Sequence, residues 1–347
     1  MIGTASLSSG RSVESSAVAA RSITFLAVVT ISFGCAGPET PASRALALLA
    51  REVPRWPREN GCFSCHNNGD GARALFAARR LGREVPADAF ASTVEWLGRP
   101  ESWDEQKGDP AASDKSLARL QFTAALAMAD EARLLKDRRA PEAAADSVAA
   151  LQGGDGAWAI EPRDAMGSPT TWGTHLATAV TCRSLETLDP RRHSEAVARG
   201  RAWLREAPMR NVFEAAAVAI GLAGTGAAGV DERIAECERL IARGKAPRGG
   251  WGPYFQSPPE PFDTALVLLA LASLPRTPQR REWITGGRAF LMAMQDPDGG
   301  WPATTRPRGG ESYAQSTSTT AWAALALLLT EEDFSGPDRL ALFRTGR

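Results

Sequence analysis

Cysteine, histidine and tyrosine are scarce in this chain of 347 residues. It contains five cysteines, three histidines and two tyrosines. Five scattered cysteines are too few for the disulfide framework of a small secreted domain, and three histidines leave little material for zinc sites. Charge of one sign is not in excess either, because 40 Lys and Arg residues balance 40 Asp and Glu residues. This balance gives no reason to expect a nucleic-acid partner or an anionic membrane surface.

A long hydrophobic run is also missing. The apolar run at residues 23–33 is too short to span a bilayer, but it has the length of the apolar part of a signal peptide. Arg11 and Arg21 precede it, and small residues follow it. We therefore expect residues 1–36 to be a signal peptide and residues 37–43 to be a linker, with a retained N-terminal anchor as the alternative.

The position at which the signal peptide is cleaved decides whether the exported chain is attached to the membrane. Cleavage before Cys35 would give a lipidated Cys35 and membrane attachment as a lipoprotein. Cleavage after Ala36 fits the small residues at this point equally well and would release a periplasmic protein. The sequence leaves both forms of export open.

Tryptophan, in contrast, is plentiful with ten residues, and three of them end a recurring motif. The motif reads QGGDGAW at residues 152–158, QDPDGGW at residues 295–301 and, in a shorter copy, RGGW at residues 248–251. A loop follows each copy, and then an Ala- and Leu-rich run with helical spacing, at residues 174–185, 263–274 and 319–329. The repeating unit is therefore a first helix, a glycine turn with Trp, a loop and a second helix.

These units recur at a period of about 50 residues. Their second helices are expected to begin near six positions: Ala72, Thr123, His175, Ala215, Thr264 and Thr320. Helix pairs of this length stack side by side, and six of them can close into a ring. The sequence predicts an all-α protein with a single α/α toroid of about six helix pairs at residues 44–340, with the second helices inside and the first helices outside.

The repeats resemble those of squalene–hopene cyclases and of protein prenyltransferase β subunits. In both families a Gln-x-x-Asp-Gly-x-Trp motif precedes Ala- and Leu-rich helices, as it does here from residue 151 to residue 329. The resemblance implies an α/α toroid. Its Ala- and Leu-rich inner wall predicts an apolar central cavity for an isoprenoid or lipid ligand. The motif residues belong to the scaffold, so the resemblance says far less about activity.

A second motif lies near the start of the predicted toroid. Cys62, Cys65 and His66 form Cys-x-x-Cys-His, the pattern by which c-type cytochromes attach haem. We expect covalent haem c, bound through both thiols with His66 as the proximal iron ligand. The sixth iron ligand is open among His175, His193, Met166 and Met209. A Cys62–Cys65 disulfide is the alternative, and Cys182 and Cys237 are expected to be buried, unreactive thiols.

Catalysis of the cyclase kind depends on one acidic segment. The resemblance implies that an Asp-x-Asp-Asp-Thr-Ala segment protonates the substrate and that its middle Asp is the proton donor. The matching stretch here is EPFDTA at residues 260–265, with Phe262 in place of that Asp. Glu260 and Asp263 remain the candidate catalytic residues, although an acid in the first turn of a helix is explained by the N-terminal partial charge. The resemblance also implies two toroids in those cyclases, and this chain has room for one.

The prenyltransferase resemblance implies a zinc site formed by an Asp, a Cys and a His. Asp263, Cys237 and His175 are present, but no Asp-x-Cys pair stands in the right place.

Three functions follow. The main hypothesis is an exported toroid with covalent haem c, which transfers electrons to a redox partner protein or binds a ligand at the haem. The alternatives are a lipid-binding or lipid-modifying toroid with a Cys62–Cys65 disulfide, and a catalytically silent interaction scaffold. An enzyme of this kind would be a haem oxidoreductase or terpenoid cyclase-like.

Overall fold

The computed structural model describes residues 39–105, 114–306 and 309–331. Over these residues the regular elements are helices, and no β-strand is present. The α-helices are α1 (Pro41–Asn60), α2 (Ala72–Arg80), α3 (Ala91–Leu97), α4 (Lys115–Glu131), α5 (Arg139–Ala149), α6 (Gly173–Leu188), α7 (Ser194–Glu206), α8 (Val212–Leu222), α9 (Val230–Arg243), α10 (Pro261–Ser273), α11 (Pro278–Met294) and α12 (Tyr313–Leu329). A π-helical turn, Cys65–Gly71, leads directly into α2.

The even-numbered helices form a closed inner ring. Helix α2 packs against α4, and the contacts continue through α6, α8, α10 and α12; α12 then packs against α2 and the π-helical turn. Helices α5, α7, α9 and α11 pack outside, each against the inner helix before it, and α1 packs against α12. The predicted toroid of six helix pairs, with second helices inside, is confirmed.

Side-chain pattern separates the two layers. In α10, nearly every residue is buried, as expected for a helix with neighbours on all sides. In the outer helix α9, the buried residues are Val230, Ile234, Cys237 and Ile241, which recur every three or four positions and form one apolar stripe. The other face of α9 is charged and meets solvent.

The tryptophans of the motif join each outer helix to the inner helix that follows. Trp158, Trp251 and Trp301 are buried. The indole N–H of each donates to a backbone carbonyl of the outer helix that precedes it, at 2.6, 2.9 and 2.8 Å, respectively. The backbone N–H of each Trp donates to a threonine hydroxyl on the next inner helix: Thr178, Thr264 and Thr320, respectively. Each Trp therefore joins two neighbouring helices, and its indole N–H has an acceptor.

The glutamines of the motif link successive outer helices. Gln152 Nε2 donates to the carbonyl of Ala196 in α7 at 2.8 Å, and Gln295 Nε2 donates to that of Pro41 in α1 at 2.8 Å. The turn must approach the next helix closely: a Cβ on Gly299, whose φ is +96°, would lie 2.6 Å from the carbonyl oxygen of Arg44. Only glycine tolerates both the contact and the left-handed backbone. The second glutamine therefore closes the ring between the two ends of the toroid.

Helix starts differ from the expected ones by several residues. Helix α4 begins at Lys115 instead of near Thr123, and α12 begins at Tyr313 instead of near Thr320. Their first turns are polar, so the apolar run alone does not reveal them. Helix α1 begins at Pro41, within the expected linker, because Thr40 and Ser43 form a reciprocal capping box.

No helix in the described part of the chain is both long and apolar enough to cross a membrane. The predicted signal peptide at residues 1–36, including Cys35, lies outside the described residues.

Candidate functional site

A pocket opens on the axis of the ring, between the last turns of the inner helices. We call it the axial pocket. Its apolar wall includes Ala127, Val180, Ile220, Leu269, Leu325 and Leu329. Glu131 and Arg183 line it closer to its mouth, while Arg73 and Trp322 lie deeper, about two turns before the C-terminal ends of their helices.

The axial pocket is small. Its volume is about 70 Å³. A cavity of about 150 Å³ accommodates benzene, which has six non-hydrogen atoms, so the axial pocket holds about three such atoms. This space fits the end of a lipid and is too small for a whole isoprenoid chain.

Four aromatic rings fill the axis below the axial pocket. Trp172 and Trp322 have ring centres 5.9 Å apart, and Phe262 lies 5.7 Å from Trp322. Phe213 extends the row, 6.1 Å from Phe262. We call these residues the aromatic cluster. The sequence predicts an apolar central cavity; in the structure, these rings fill much of the axis.

Asp263 is sealed at the far end of the ring. Its side chain is fully buried and pairs with Arg306, which also lies 3.4 Å from Glu260 and stacks near Phe213 and Phe262. Burial raises the pKa of Asp263 to about 7, although the guanidinium of Arg306 lowers it. Asp263 does not line the axial pocket, so its proton does not face that space.

The two candidate catalytic acids do not cap their helix through side-chain hydrogen bonds. Glu260 is the N-cap residue of α10, but its side chain makes no capping bond, and Asp263 turns to Arg306. Glu214, at the matching position of α8, accepts a hydrogen bond from the backbone N–H of Arg210 at 2.5 Å. The first turn of α10 is thus built around Arg306, which the sequence did not indicate.

The Cys-x-x-Cys-His segment packs into the ring between α1, α4 and α12. His66 Nδ1 lies 3.2 Å from Ser318 Oγ, and the Ser318 hydroxyl donates to Asp70 Oδ2 at 2.8 Å. Because the hydroxyl proton goes to Asp70, Ser318 must accept from His66 Nδ1–H. His66 is then neutral with a lone pair on Nε2, which faces the thiol of Cys65 at 3.6 Å.

Asp70 continues this row of polar groups to the axial pocket. Its Oδ1 lies 3.3 Å from Nη1 of Arg73, and Arg73 lines the pocket. Burial raises the pKa of Asp70 to about 7, against the effect of Arg73 and Ser318, and lowers the pKa of His66 to about 4. We call Cys65, His66, Ser318, Asp70 and Arg73 the polar row.

Haem does not fit the segment as it is packed here. The tautomer of His66 would suit iron, because Nε2 carries the lone pair and Nδ1–H has an acceptor. However, Nε2 faces Cys65 Sγ at 3.6 Å, and burial of that thiol raises its pKa to about 12. A porphyrin has no room between these atoms. Haem attachment at Cys62 and Cys65 stays a prediction, and it requires the segment to open.

The other residues singled out by sequence lie apart from this segment. His175 Nε2 lies 3.1 Å from the carbonyl of Pro208, and His193 lies 3.3 Å from Asp146. Met209 contacts the thiol of Cys237 at 3.5 Å, and Met166 packs at the edge of the core. Cys182 and Cys237 are buried and free, as expected. Over the described residues, no three His, Cys, Asp or Glu side chains are arranged to hold a metal ion.

Sequence reasoning missed Asp70, Arg73, Ser318 and Arg306. A signal for the first two was present: an acid and a base three residues apart, just before the apolar middle of an inner helix. Charges on such a helix are costly to bury unless they pair, so they mark a special site. Ser318 and Arg306 are brought in from α12 and the loop before it, and no local pattern points to them.

No family model and no curated protein matches the sequence. Solved structures do match the fold. One is a type II terpene cyclase from Scytonema, with a TM-score of 0.52 and 15% identity over 83% of this chain and 98% of that chain. A variant of that cyclase, in complex with its substrate geranylgeranyl dihydroxybenzoate, gives a TM-score of 0.54 and 15% identity over 87% of this chain and 98% of that one.

The ent-copalyl diphosphate synthase from Streptomyces platensis matches with a TM-score of 0.51 and 17% identity, over 76% of this chain and 50% of that chain. These likenesses establish a terpene cyclase-like toroid. They also remove one reason for excluding cyclisation: the Scytonema enzyme is matched over almost its whole length by this single toroid, so a terpene cyclase does not need two.

Proposed function

We propose that this protein binds a lipid of the isoprenoid type by taking the end of the lipid into the axial pocket, without cyclising it. The observation that carries the proposal is the axial pocket itself: an apolar-walled space on the axis of a terpene cyclase-like toroid. A chain end of about three non-hydrogen atoms matches this space. The rest of the chain would lie outside its mouth.

Two features support binding without cyclisation. Phe262 stands where the resemblance implies the proton donor, and its ring belongs to the aromatic cluster. Asp263, the nearest acid along the chain, pairs with Arg306 at the far end of the ring from the axial pocket. A lipid end in the axial pocket therefore contacts no carboxylic acid of residues 260–265.

A pocket-filling variant tests the proposal. Ala127 lines the axial pocket, whereas Ala143 on α5 is exposed. We expect geranylgeraniol to bind the protein, Ala127→Leu to weaken binding at least tenfold, and the control Ala143→Leu to leave it unchanged, as measured by calorimetric titration. Equal binding by the two variants would place the lipid elsewhere and refute the proposal.

Product analysis tests the absence of cyclisation. Squalene and geranylgeraniol incubated with the protein should be recovered unchanged by gas chromatography and mass spectrometry. A cyclised product that disappears in Asp263→Asn would show that Asp263 acts as the acid after all. Absence of any bound lipid, both in these titrations and in solvent extracts of the purified protein, would favour the interaction scaffold.

A further inference from the structure

We propose that the lipid end held in the axial pocket carries a carboxylate, and that Arg73 binds it. This inference rests on the proposed function and names the chemical class of the ligand. It starts from an unusual placement: a buried guanidinium lines a pocket whose wall is otherwise mostly apolar. An uncharged hydrocarbon end gives no reason for an arginine there, because burying this charge is costly.

Arg73 is only partly satisfied by the protein. It is 7% exposed, and its Nη1 pairs with Asp70 Oδ1 at 3.3 Å. Its Nε has no hydrogen-bond partner among the described residues. Buried N–H donors are nearly always paired, and a buried donor without an acceptor costs about 1–3 kcal/mol. A ligand oxygen in the axial pocket would add an acceptor on the side of the guanidinium that faces the pocket.

The guanidinium is also held in a fixed orientation. It stacks over Trp322, with its central carbon 4.6 Å from the ring centre, and lies 5.6 Å from the centre of Trp172. Asp70 fixes it from the other side and is itself fixed by the hydroxyl of Ser318. A planar guanidinium fixed in this way suits the planar, two-oxygen geometry of a carboxylate.

The charges around the axial pocket favour an anion. Arg73 and Arg183 line it together with Glu131, whose partner is Arg80 at 3.0 Å. With Asp70 included, three guanidiniums face two carboxyls, so the site is positive overall. Arg183 is already held by the backbone carbonyls of Ile220 and Ala223, which leaves Arg73 as the group with a free donor.

Size favours a carboxylate over a diphosphate. A diphosphate group has nine non-hydrogen atoms and carries several charges, whereas the axial pocket holds about three atoms. A carboxylate group has three non-hydrogen atoms and fits that space, and the first carbons of its chain contact Leu269 and Leu325. The ligand is therefore an isoprenoid or similarly branched carboxylic acid that enters with its acid end first.

A matched pair of probes tests this inference. Geranic acid and geraniol have the same chain and differ in the end group. We expect the wild-type protein to bind geranic acid at least tenfold more tightly than geraniol. In Arg73→Gln this preference should vanish. The control Arg239→Gln changes an exposed arginine of α9 and should keep the preference.

A second variant controls for misfolding of Arg73→Gln. Arg73→Gln alone leaves Asp70 without its partner, so the double variant Arg73→Gln/Asp70→Asn removes both charges and should also bind geranic acid and geraniol equally. Equal binding of the two probes by the wild-type protein would overturn the carboxylate assignment and leave the proposed function intact. Binding of neither probe would defeat the proposed function itself. Inorganic phosphate that displaces geranic acid more strongly than acetate does would contradict the assignment of a carboxylate.

Discussion

Asp263 and Arg306 face each other at the end of the ring, almost out of contact with water. Removing one charge from such a pair leaves the other buried without compensation, so Asp263→Asn should lower the free energy of unfolding by about 3 kcal/mol. The exposed pair of Glu195 and Arg199 provides the control, and Glu195→Gln should cost less than about 1 kcal/mol. Urea denaturation measures both. Equal effects would mean that the pair is not buried as described.

Protonation of His66 and Asp70 should give stability a distinctive pH dependence. The pKa of His66 is lowered from 6.5 to about 4, so its contribution is complete above pH 6.5 and is lost as the pH falls toward 4. The pKa of Asp70 is raised from 3.8 to about 7, so the folded state binds the extra proton between these values. Its contribution is complete below about pH 4 and is lost as the pH rises through 7.

Variants separate these two opposing effects. Asp70→Asn should reduce the decline in the free energy of unfolding between pH 5 and pH 7. His66→Gln should reduce the loss of that free energy below pH 6.5. Each fully displaced proton is worth at most about 1.4 kcal/mol per pH unit. Unfolding free energies between pH 4.5 and pH 8 test this. A slope that Asp70→Asn does not change would show that Asp70 titrates normally.

At the scale of elements, the segment that bears Cys62, Cys65 and His66 decides whether haem is present. If the segment opens and haem attaches as the sequence predicts, protein made with a cytochrome c maturation system should keep its haem after denaturation and give a c-type pyridine haemochrome band. Replacing both cysteines with Ser should abolish the band. Colourless protein after proper maturation would favour the packed form of the segment, with free thiols or a Cys62–Cys65 disulfide.

The helix pairs and their order could be predicted from the sequence because the same motif recurs several times. Glycine turns, tryptophans and Ala- and Leu-rich runs mark three pairs directly, and the period of about 50 residues supplies the others. The contents of the axis were not readable in the same way. Arg73 and Trp322 lie on different inner helices, and only closure of the ring brings them within 4.6 Å. Motif reasoning drew attention to Asp263 and His66 but did not reveal their partners, which come from distant parts of the chain.

At the scale of the whole molecule, the ring has one seam, where the two ends of the toroid meet. Gln295 forms hydrogen bonds across this seam with Pro41 and Arg44. Gln152 forms the matching bonds with Ala196 and Arg199, on the next outer helix along the sequence, away from the seam. Each replacement by Ala should cost about 1–2 kcal/mol, because similar hydrogen bonds are lost. Only Gln295→Ala should increase amide hydrogen exchange in the first turns of α1. Increased exchange there in Gln152→Ala as well would contradict a localised seam.

The polar row connects Cys65 to the axial pocket. Cys65 and the axial pocket lie at its opposite ends, joined by contacts at 3.6, 3.2, 2.8 and 3.3 Å. If a carboxylate binds Arg73 as proposed, it changes the field at Asp70 and, through Ser318, at His66. Thermodynamic linkage is reciprocal, so any effect of the ligand on the modification equilibrium of Cys65 is matched by an equal effect of that modification on ligand affinity. We expect glutathione–disulfide exchange at Cys65, measured in a Cys62→Ser background, to differ with and without geranic acid, and Ser318→Ala to remove the difference.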